Sequence, residues 1–418
     1  MKLAATALVA LLAYGYVVTS LMKTHDGDVS RLVLAGGPNV EPSKVPPGLT
    51  VIPGIGGYDG IMFYRLAVDP FTRVQTAHGI KLDEPSYRQQ RILWPLLLHV
   101  LSLGNPEAIP MLMLVTNLLG IAVMAVAAGI LATRYGLSPF WGLLFPLYPG
   151  FVVSISRDTS EIIAWAFAAC AMAAFASAVR GSSGSSVRRS SSVPRSSSVP
   201  RSSSGSSAPV SEELRGTRGT RGTSDARWRL CTLFLCLAMF TRETTLLLAI
   251  AIGVVWLFRL RRDVPKSTFL IPGALYASWQ LFLGWWWGKL PLHAGAPDRT
   301  IPFSGFVQMF ADATGRRTVM DRIHFAESIF WLVLLVLVLA VWRRSQAPLE
   351  FRVAWLGAFL LAALLAHDIW AEHYAFMRAL TELFMISIGV ILGARRGPRW
   401  TAAVMVVALW LQVAQHPG

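Results

Sequence analysis

Long apolar runs separated by short polar segments make up most of the chain. A helix of about 20 mostly apolar residues crosses the hydrocarbon core of a bilayer. Runs that approach or reach this length occupy residues 3–22, 109–132, 137–155, 160–179, 268–288, 326–342, 351–367, 376–394 and 399–414. The longer run 228–258 is interrupted by Thr241-Arg242-Glu243, and we interpret it as two short helices, 228–241 and 243–259. The pattern predicts an all-α, polytopic membrane protein with about eleven transmembrane helices.

Two apolar segments in the first quarter of the chain differ from the rest. Residues 91–103 are too few to span a bilayer, so we expect them to lie in the membrane or to re-enter it. The run 3–22 has Lys2 as its basic flank and no clear small-residue cleavage site after Leu21, so we interpret it as a retained first helix rather than a signal peptide. Residues 23–90 then form a large first outer loop.

The composition supports a membrane protein and excludes a soluble nucleic-acid-binding protein. Hydrophobic residues make up 54% of the chain and charged residues 15%, whereas soluble domains carry roughly 25% charged residues. We therefore expect the positive charges behind the formal net charge of +15 to be placed by the membrane topology rather than by nucleic-acid binding. We also expect membrane lipid to surround the protein.

The arginine clusters between the predicted helices supply that explanation. If residue 1 lies inside, the clusters at Arg134, 180–227, 259–262, 343–344 and 395–396 all fall on the inner side. Cytoplasmic loops of membrane proteins carry an excess of Lys and Arg. The charges therefore predict a multi-pass protein with a cytoplasmic N-terminus.

The segment 180–227 divides the chain into an N-terminal membrane part, 1–179, and a C-terminal membrane part, 228–418. It contains RSSSVP twice and RGT three times, with almost no apolar residues. Such a composition cannot bury a core, so we expect a disordered cytoplasmic loop. Its arginines would attract anionic headgroups, but a tolerated repeat expansion that helps to fix topology is the interpretation we favour.

Ionisable residues collect at the opposite ends of the predicted helices. Such residues at membrane depth are costly and indicate a functional site by default. The candidates are Asp59, Arg88, Arg91, Arg157, Asp158, Glu161, Arg242, Glu243, His373 and Arg378. Arg157, Arg242, Arg378 and one of Arg88 or Arg91 would form a basic cluster suited to a phosphate group, because arginine pairs well with phosphate oxygens.

Each charged motif in these segments, taken alone, also has a purely structural interpretation. Asp59 or Asp83 would serve as a helix cap. The structural alternatives for the other residues are an Arg65–Asp69 helix salt bridge, a capping box at Asp158 and Glu161, and a buried Arg242–Glu243 pair. The spacing of His367, Asp368 and His373 matches no metalloenzyme signature, so no metal site is predicted.

Several segments together resemble the GT-C superfamily of integral-membrane glycosyltransferases. GIGGYDGIMFYRLAVDPF (54–71), followed by LDEPSYRQQRILWPLL (82–97), is similar to the first-loop signature of bacterial members. SRDTSEIIAWAF (156–167), FTRETTLLLA (240–249) and EHYAFMRALTELF (372–384) are similar to later motifs. The resemblance implies sugar transfer from a polyprenyl-phosphate carrier to an acceptor hydroxyl on a glycan, a lipid or a protein. It also implies an outward-facing site in a bacterial-type plasma (inner) membrane.

The resemblance also implies residue roles. Asp59 matches the acidic first-loop residue that acts as general base, and Arg88, Arg91 and Arg378 are the expected ligands of the donor phosphate. Arg242 and Glu243 are expected to act as a pair that orients these arginines. The reaction is expected to need no metal, and no cofactor other than the sugar carrier. The further supporting residues are Tyr58, Tyr87, Arg157, Asp158, Glu161 and His373.

Two other functions fit part of the pattern. A transporter or flippase of a lipid-linked or anionic solute would also use outer arginines, but we find no internal repeat of the kind common in transporters. A membrane acyltransferase or phosphotransferase would favour a histidine-centred site at 367–373 over Asp59. Sensitivity to substitution of Asp59, as against His367 and His373, separates the glycosyltransferase from the acyltransferase or phosphotransferase.

Overall fold

The computed structural model describes residues 1–187, 211–261, 263–293, 301–315, 319–371 and 375–415. Almost all regular structure in these residues is helical, as predicted. A single hairpin pairs β1 (Thr76–Ala77) with β2 (Ile80–Lys81) in antiparallel register within the first loop.

The helices have the following bounds. In chain order they are α1 (Lys2–Thr24), α2 (Asp59–Val68), α3 (Pro85–Gln89), α4 (Leu93–Ser102), α5 (Ile109–Arg134), α6 (Pro149–Ser156), α7 (Glu161–Val187), α8 (Ser211–Thr241), α9 (Leu246–Leu257), α10 (Ser267–Trp287), α11 (Ser304–Gly315), α12 (Val319–Val341), α13 (Leu349–Ala363), α14 (His367–Ala371), α15 (Ala375–Ala379), α16 (Thr381–Leu392) and α17 (Arg396–Gln415). Short 3-10 helices lie at Val29–Val33, Pro42–Lys44, Pro106–Ala108, Pro139–Leu144, Glu243–Thr245 and Pro291–His293.

Three helical segments in the described part of the chain are long and apolar enough to cross a membrane. They are Lys2–Thr24, Pro106–Arg134 and Glu161–Arg180. Shorter apolar helices cover Leu93–Ser102, Glu243–Leu257, Phe325–Val341 and Thr381–Leu392. These lengths are consistent with a helical membrane protein, and the number of crossings remains a prediction.

The predicted helix boundaries are partly confirmed. The break at Thr241-Arg242-Glu243 is present, because α8 ends at Thr241 and α9 begins at Leu246. The predicted helix 137–155 is wrong. The chain there forms a 3-10 helix at Pro139–Leu144 and the short α6, since its prolines lack a backbone N–H and clash with the preceding turn.

Helices α7 and α8 extend into the segment 180–227 that composition predicts to be disordered. The backbone is helical as far as Val187 and again from Ser211, and the assignment of 180–227 to a disordered cytoplasmic loop stays a prediction. Extending an existing helix adds one hydrogen bond for each residue that is fixed, without a new nucleation step. The remaining part of the prediction concerns 188–210, which lie outside the described residues.

The first loop, residues 23–90, packs as a folded layer on the end of α5. Phe63 of α2 packs against Trp94 of α4, with ring centroids 5.3 Å apart. The indole of Trp94 donates a hydrogen bond of 3.0 Å to Thr116 of α5. This packing fixes the position of α2, and therefore of Asp59 at its beginning, relative to the helix bundle.

Contacts between distant segments show which helix ends lie together. Arg261 pairs with Glu350 at 3.0 Å, and the amide of Gln346 donates to the carbonyl of Gly393 at 2.9 Å. The arginine-rich segments 259–261, 343–344 and 395–396 therefore lie near one end of the bundle, as the charge pattern predicts. Glu382 lies at the other end of α16, and a helix of this length separates its two ends by about 18 Å.

Candidate functional site

Asp59 is the first residue of α2, and two arginines bind its carboxylate. The Nη1 of Arg88 donates to Oδ1 at 2.7 Å, and the Nη2 of Arg378 donates to Oδ2 at 2.9 Å. Tyr58, not Asp59, occupies the capping position. The helix-cap interpretation of Asp59 is therefore wrong, and the residue instead joins the first loop to α15.

Arg88 is held on its other side by Asp83. Its Nε and Nη2 donate to the two carboxylate oxygens of Asp83 at 2.8 and 2.6 Å. Asp83 does not cap α3, because the capping position belongs to Glu84. This two-bond pairing fixes the guanidinium in one orientation, since both groups are planar.

Arg378 also makes two hydrogen bonds to an acidic residue, here Glu161, the first residue of α7. Its Nε and Nη2 both donate to Oε1 of Glu161, at 3.0 and 2.7 Å. The same oxygen accepts a hydrogen bond from Arg242, and the Glu161 side chain is fully buried. Glu161 therefore connects α7, the end of α8 and α15 at one point.

The predicted capping box at Asp158 and Glu161 does not form. Asp158 has a left-handed backbone (φ 43°), and neither of its buried carboxylate oxygens has a hydrogen-bond partner in the structure as described. Burial raises the pKa of the Asp158 carboxyl well above its ordinary range, and Asn117 beside it lowers the pKa less. Burial therefore favours the neutral form of Asp158, which pairs with none of the arginines in the described ranges.

Arg242 and Glu243 are adjacent in sequence but do not pair with each other, so that prediction is wrong. Arg242 donates to Glu382 of α16 at 2.8 Å, whereas Glu243 accepts two hydrogen bonds from Arg91, at 2.6 and 2.8 Å. Arg242 has an extended backbone (φ −154°, ψ 120°), which directs consecutive side chains to opposite faces. Glu243 therefore holds the guanidinium of Arg91, whereas Arg242 holds Glu382 and donates a hydrogen bond of 3.1 Å to the carbonyl oxygen of Arg378.

Two tyrosines lie against the arginines. The ring of Tyr58 lies 4.2 Å from the guanidinium of Arg157 and 4.7 Å from that of Arg378. The hydroxyl of Tyr87 accepts a hydrogen bond of 2.8 Å from Arg91. Cation–π contacts of this kind favour a fixed guanidinium over a mobile one. The structure thus brings Tyr58, Tyr87 and Arg157 to the site as predicted, whereas His373 lies outside the described residues.

The charges of the first-loop residues are fixed by their neighbours. Burial alone would raise the pKa of Asp59, but Arg88, Arg378 and Arg91 lower it by more, so the pKa lies well below its usual range. Burial lowers the pKa of Arg88 and Arg91, and their acidic partners raise it further than that. Asp59 is therefore an ionised carboxylate at neutral pH, and as a proton acceptor it is weak while both arginines hold it.

Most of the ion pairs of the site form one connected network. It joins the carboxylates of Asp59, Asp83, Glu161 and Glu382 to the guanidiniums of Arg88, Arg242 and Arg378. Arg91 and Glu243 form a separate pair, which no ion pair among the described residues joins to the network. Within the described ranges, the Nη1 groups of Arg91 and Arg378 have no hydrogen-bond acceptor. Each of these Nη1 groups can therefore donate a hydrogen bond to a further acceptor.

Sequence reasoning did not identify Glu382 and assigned Asp83 to a cap. Glu382 follows Arg378 by four residues, a spacing that indicates a shared helix face. From that spacing Glu382 could have been identified as a neighbour of Arg378. His367 lies 3.7 Å from Asp312, and no described contact joins it to Asp59.

Gly60 provides a direct test of how closely the first loop and α7 fit together. A Cβ at Gly60 would lie 2.5 Å from the carbonyl oxygen of Arg157 and 2.8 Å from that of Val33. Because both contacts are with backbone, we expect Gly60→Ala to reduce the free energy of unfolding by about 1–3 kcal/mol.

The matched control for this substitution is Gly56→Ala, since a Cβ at Gly56 meets nothing within 4 Å. Thermal unfolding in detergent should show a lower midpoint for Gly60→Ala alone. Equal midpoints for the two variants would contradict the close approach of α2 to the segment before α7.

Comparisons with protein-family models, with curated proteins and with solved structures find no match for this chain.

Proposed function

We propose that this protein is a GT-C-type membrane glycosyltransferase that moves a sugar from a polyprenyl-phosphate carrier to an acceptor hydroxyl. The observation that carries the proposal is the carboxylate of Asp59 held between Arg88 and Arg378. One carboxylate beside several fixed guanidiniums provides the two functions that this reaction needs. These are a proton acceptor and a set of positive charges for the leaving phosphate.

The proposed reaction is a single inverting displacement. The acceptor oxygen forms a bond to the anomeric carbon while the bond from that carbon to the phosphate oxygen breaks. The electron pair of the broken bond goes to the phosphate, and the hydroxyl proton goes to the carboxylate of Asp59. The phosphate gains negative charge as it leaves, and Arg88, Arg91 and Arg378 stabilise that charge.

The remaining residues position the arginines. Asp83 orients Arg88, Glu161 orients Arg378, and Glu243 orients Arg91. Fixed donors stabilise a transition state without the reorganisation that mobile side chains require. In this account the helices cross a bacterial-type plasma membrane about eleven times, the arginine-rich end faces the cytoplasm and Asp59 faces outward.

Transport of a lipid-linked or anionic solute is the second candidate function. The observation in its favour is the pair of open arginine Nη1 groups, which would bind an anion in either case. However, transporter sites generally lie near the middle of the bilayer, between broken helices. The network here lies at helix ends, beneath the folded first loop, and this position favours the enzyme.

Turnover in nanodiscs separates the two functions, because a nanodisc has no compartments and transport leaves its substrate chemically unchanged. We expect the purified protein, given a panel of polyprenyl-phosphate sugars and a membrane acceptor fraction, to release polyprenyl phosphate from one donor. Intact donor throughout, together with donor movement across the bilayer of proteoliposomes, would instead support a transporter.

A further inference from the structure

The proposed reaction requires a free base, but both oxygens of Asp59 are already bound by arginine. Oδ1 accepts from Arg88 and Oδ2 from Arg378. The arginines that would hold the donor phosphate are thus the same groups that hold the base. The carboxylate and the phosphate therefore compete for the same N–H groups.

We propose that Asp59 is an exchangeable counterion, and that the donor's phosphate displaces it from Arg88 and Arg378 and so frees it to act as base. This inference rests on the proposed function and adds the order of events: donor binding precedes activation of Asp59. It also specifies the ligand as a singly charged phosphate diester, the group that matches the charge of the carboxylate it replaces.

The structure distinguishes exchangeable partners from permanent ones. Arg88 makes two hydrogen bonds to Asp83 but one to Asp59, and Arg378 makes two to Glu161 but one to Asp59. Asp59 thus holds each arginine by a single bond. Loss of both bonds would leave both guanidiniums in place, because Asp83 and Glu161 still fix them.

The accessibility of the side chains favours the same exchange. The side chain of Asp59 is 25% exposed, whereas that of Glu161 is fully buried. Asp59 can turn toward solvent without leaving an unpaired charge in the protein interior, and Glu161 cannot. The open Nη1 of Arg378 and Arg91 offers the incoming phosphate its first contacts before the exchange is complete.

The exchange also keeps the charge of the network constant during catalysis. During the displacement the leaving phosphate gains one negative charge as its bond to the anomeric carbon breaks, and Asp59 loses one as it takes the acceptor's proton. Release from both arginines raises the pKa of Asp59 toward the ordinary value for aspartate, about 4. The carboxylate therefore becomes a better proton acceptor only after the donor is bound.

Binding of a polyprenyl methyl phosphate, an unreactive diester with the single charge of the donor's phosphate, to the protein in nanodiscs of zwitterionic lipid tests the exchange without any need for turnover. Wild type is compared with Asp59→Asn, which removes the competing charge. Because the phosphate no longer displaces a charge-assisted pair, we expect its dissociation constant to fall about tenfold or more. Unchanged or weaker binding by Asp59→Asn would overturn the exchange and leave the proposed function standing.

Three control variants assign any gain in affinity to the exchange. Asp59→Glu keeps the charge and should show no gain in affinity for the phosphate. Asp26→Asn makes the same substitution as Asp59→Asn, but at an exposed position of the same loop, and should also show no gain. Asp83→Asn removes one charge from the network but also releases Arg88, so an equal gain there would show a simple effect of net charge and overturn the exchange. If neither wild type nor Asp59→Asn binds saturably, the proposed function and this inference both fail.

Discussion

Replacing Asp59 by Asn is expected to lower the rate of sugar transfer about 10²–10⁴-fold, the range typical for loss of a general base. The side chain keeps its size and its capacity to accept a hydrogen bond, but it no longer takes a proton from the acceptor. Arg88 and Arg378 remain held by Asp83 and Glu161, so donor binding should persist. Initial rates of polyprenyl phosphate release, measured with donor saturating, report this loss.

The matched control is Asp26→Asn, at a position with an exposed side chain in the same loop. We expect it to retain the rate of the wild type. A rate within about threefold of wild type in Asp59→Asn would contradict the role of Asp59 as base, for which a loss of at least 10²-fold is required. In that case the salt bridges of Asp59 would be structural, and the search for a base would move to residues 367–378.

Replacing Glu161 by Gln is expected to reduce the free energy of unfolding by about 3–5 kcal/mol, the usual consequence of removing one partner from a buried ion pair. Glu161 is fully buried and accepts hydrogen bonds from both Arg242 and Arg378. Its neutral replacement leaves two buried guanidiniums with less compensating charge. The midpoint of thermal unfolding in detergent, followed by tryptophan fluorescence, measures the change.

Glu41→Gln is the control for this substitution, because Glu41 is exposed and pairs with Lys44 at the surface. Exposed pairs of this kind contribute about 0–1 kcal/mol. Equal midpoints for Glu161→Gln and Glu41→Gln would contradict the central position of Glu161 in the network.

The apolar pattern predicted most of the helices, and the ionisable residues at the ends of the apolar runs predicted part of the ion-pair network, but not Asp83 or Glu382. Burial of a charged group is unfavourable unless it is paired. Arginine and acidic residues at the ends of apolar runs therefore have a physical reason to meet, as Arg242, Glu161 and Arg378 do. The break before α9 was predicted for the same reason, since charged residues interrupt an otherwise apolar run.

The partners within the site could not be predicted from spacing. Sequence adjacency favoured an Arg242–Glu243 pair, but Arg242 bonds to Glu382, 140 positions away, and Glu243 to Arg91. Such contacts depend on how the helices pack, and local spacing carries no information about packing. Hydropathy likewise assigned one helix to 137–155, because a hydropathy scale does not register the hydrogen bonds that prolines remove.

The most direct test of the account is a single-turnover reaction with the protein in excess over a polyprenyl-phosphate sugar. Mass spectrometry of the quenched mixture quantifies free polyprenyl phosphate and glycosylated acceptor. The account predicts equal amounts of the two products with wild type, and bound but intact donor with Asp59→Asn. Intact donor with wild type across the whole donor panel, or equal yields from wild type and Asp59→Asn, would contradict it.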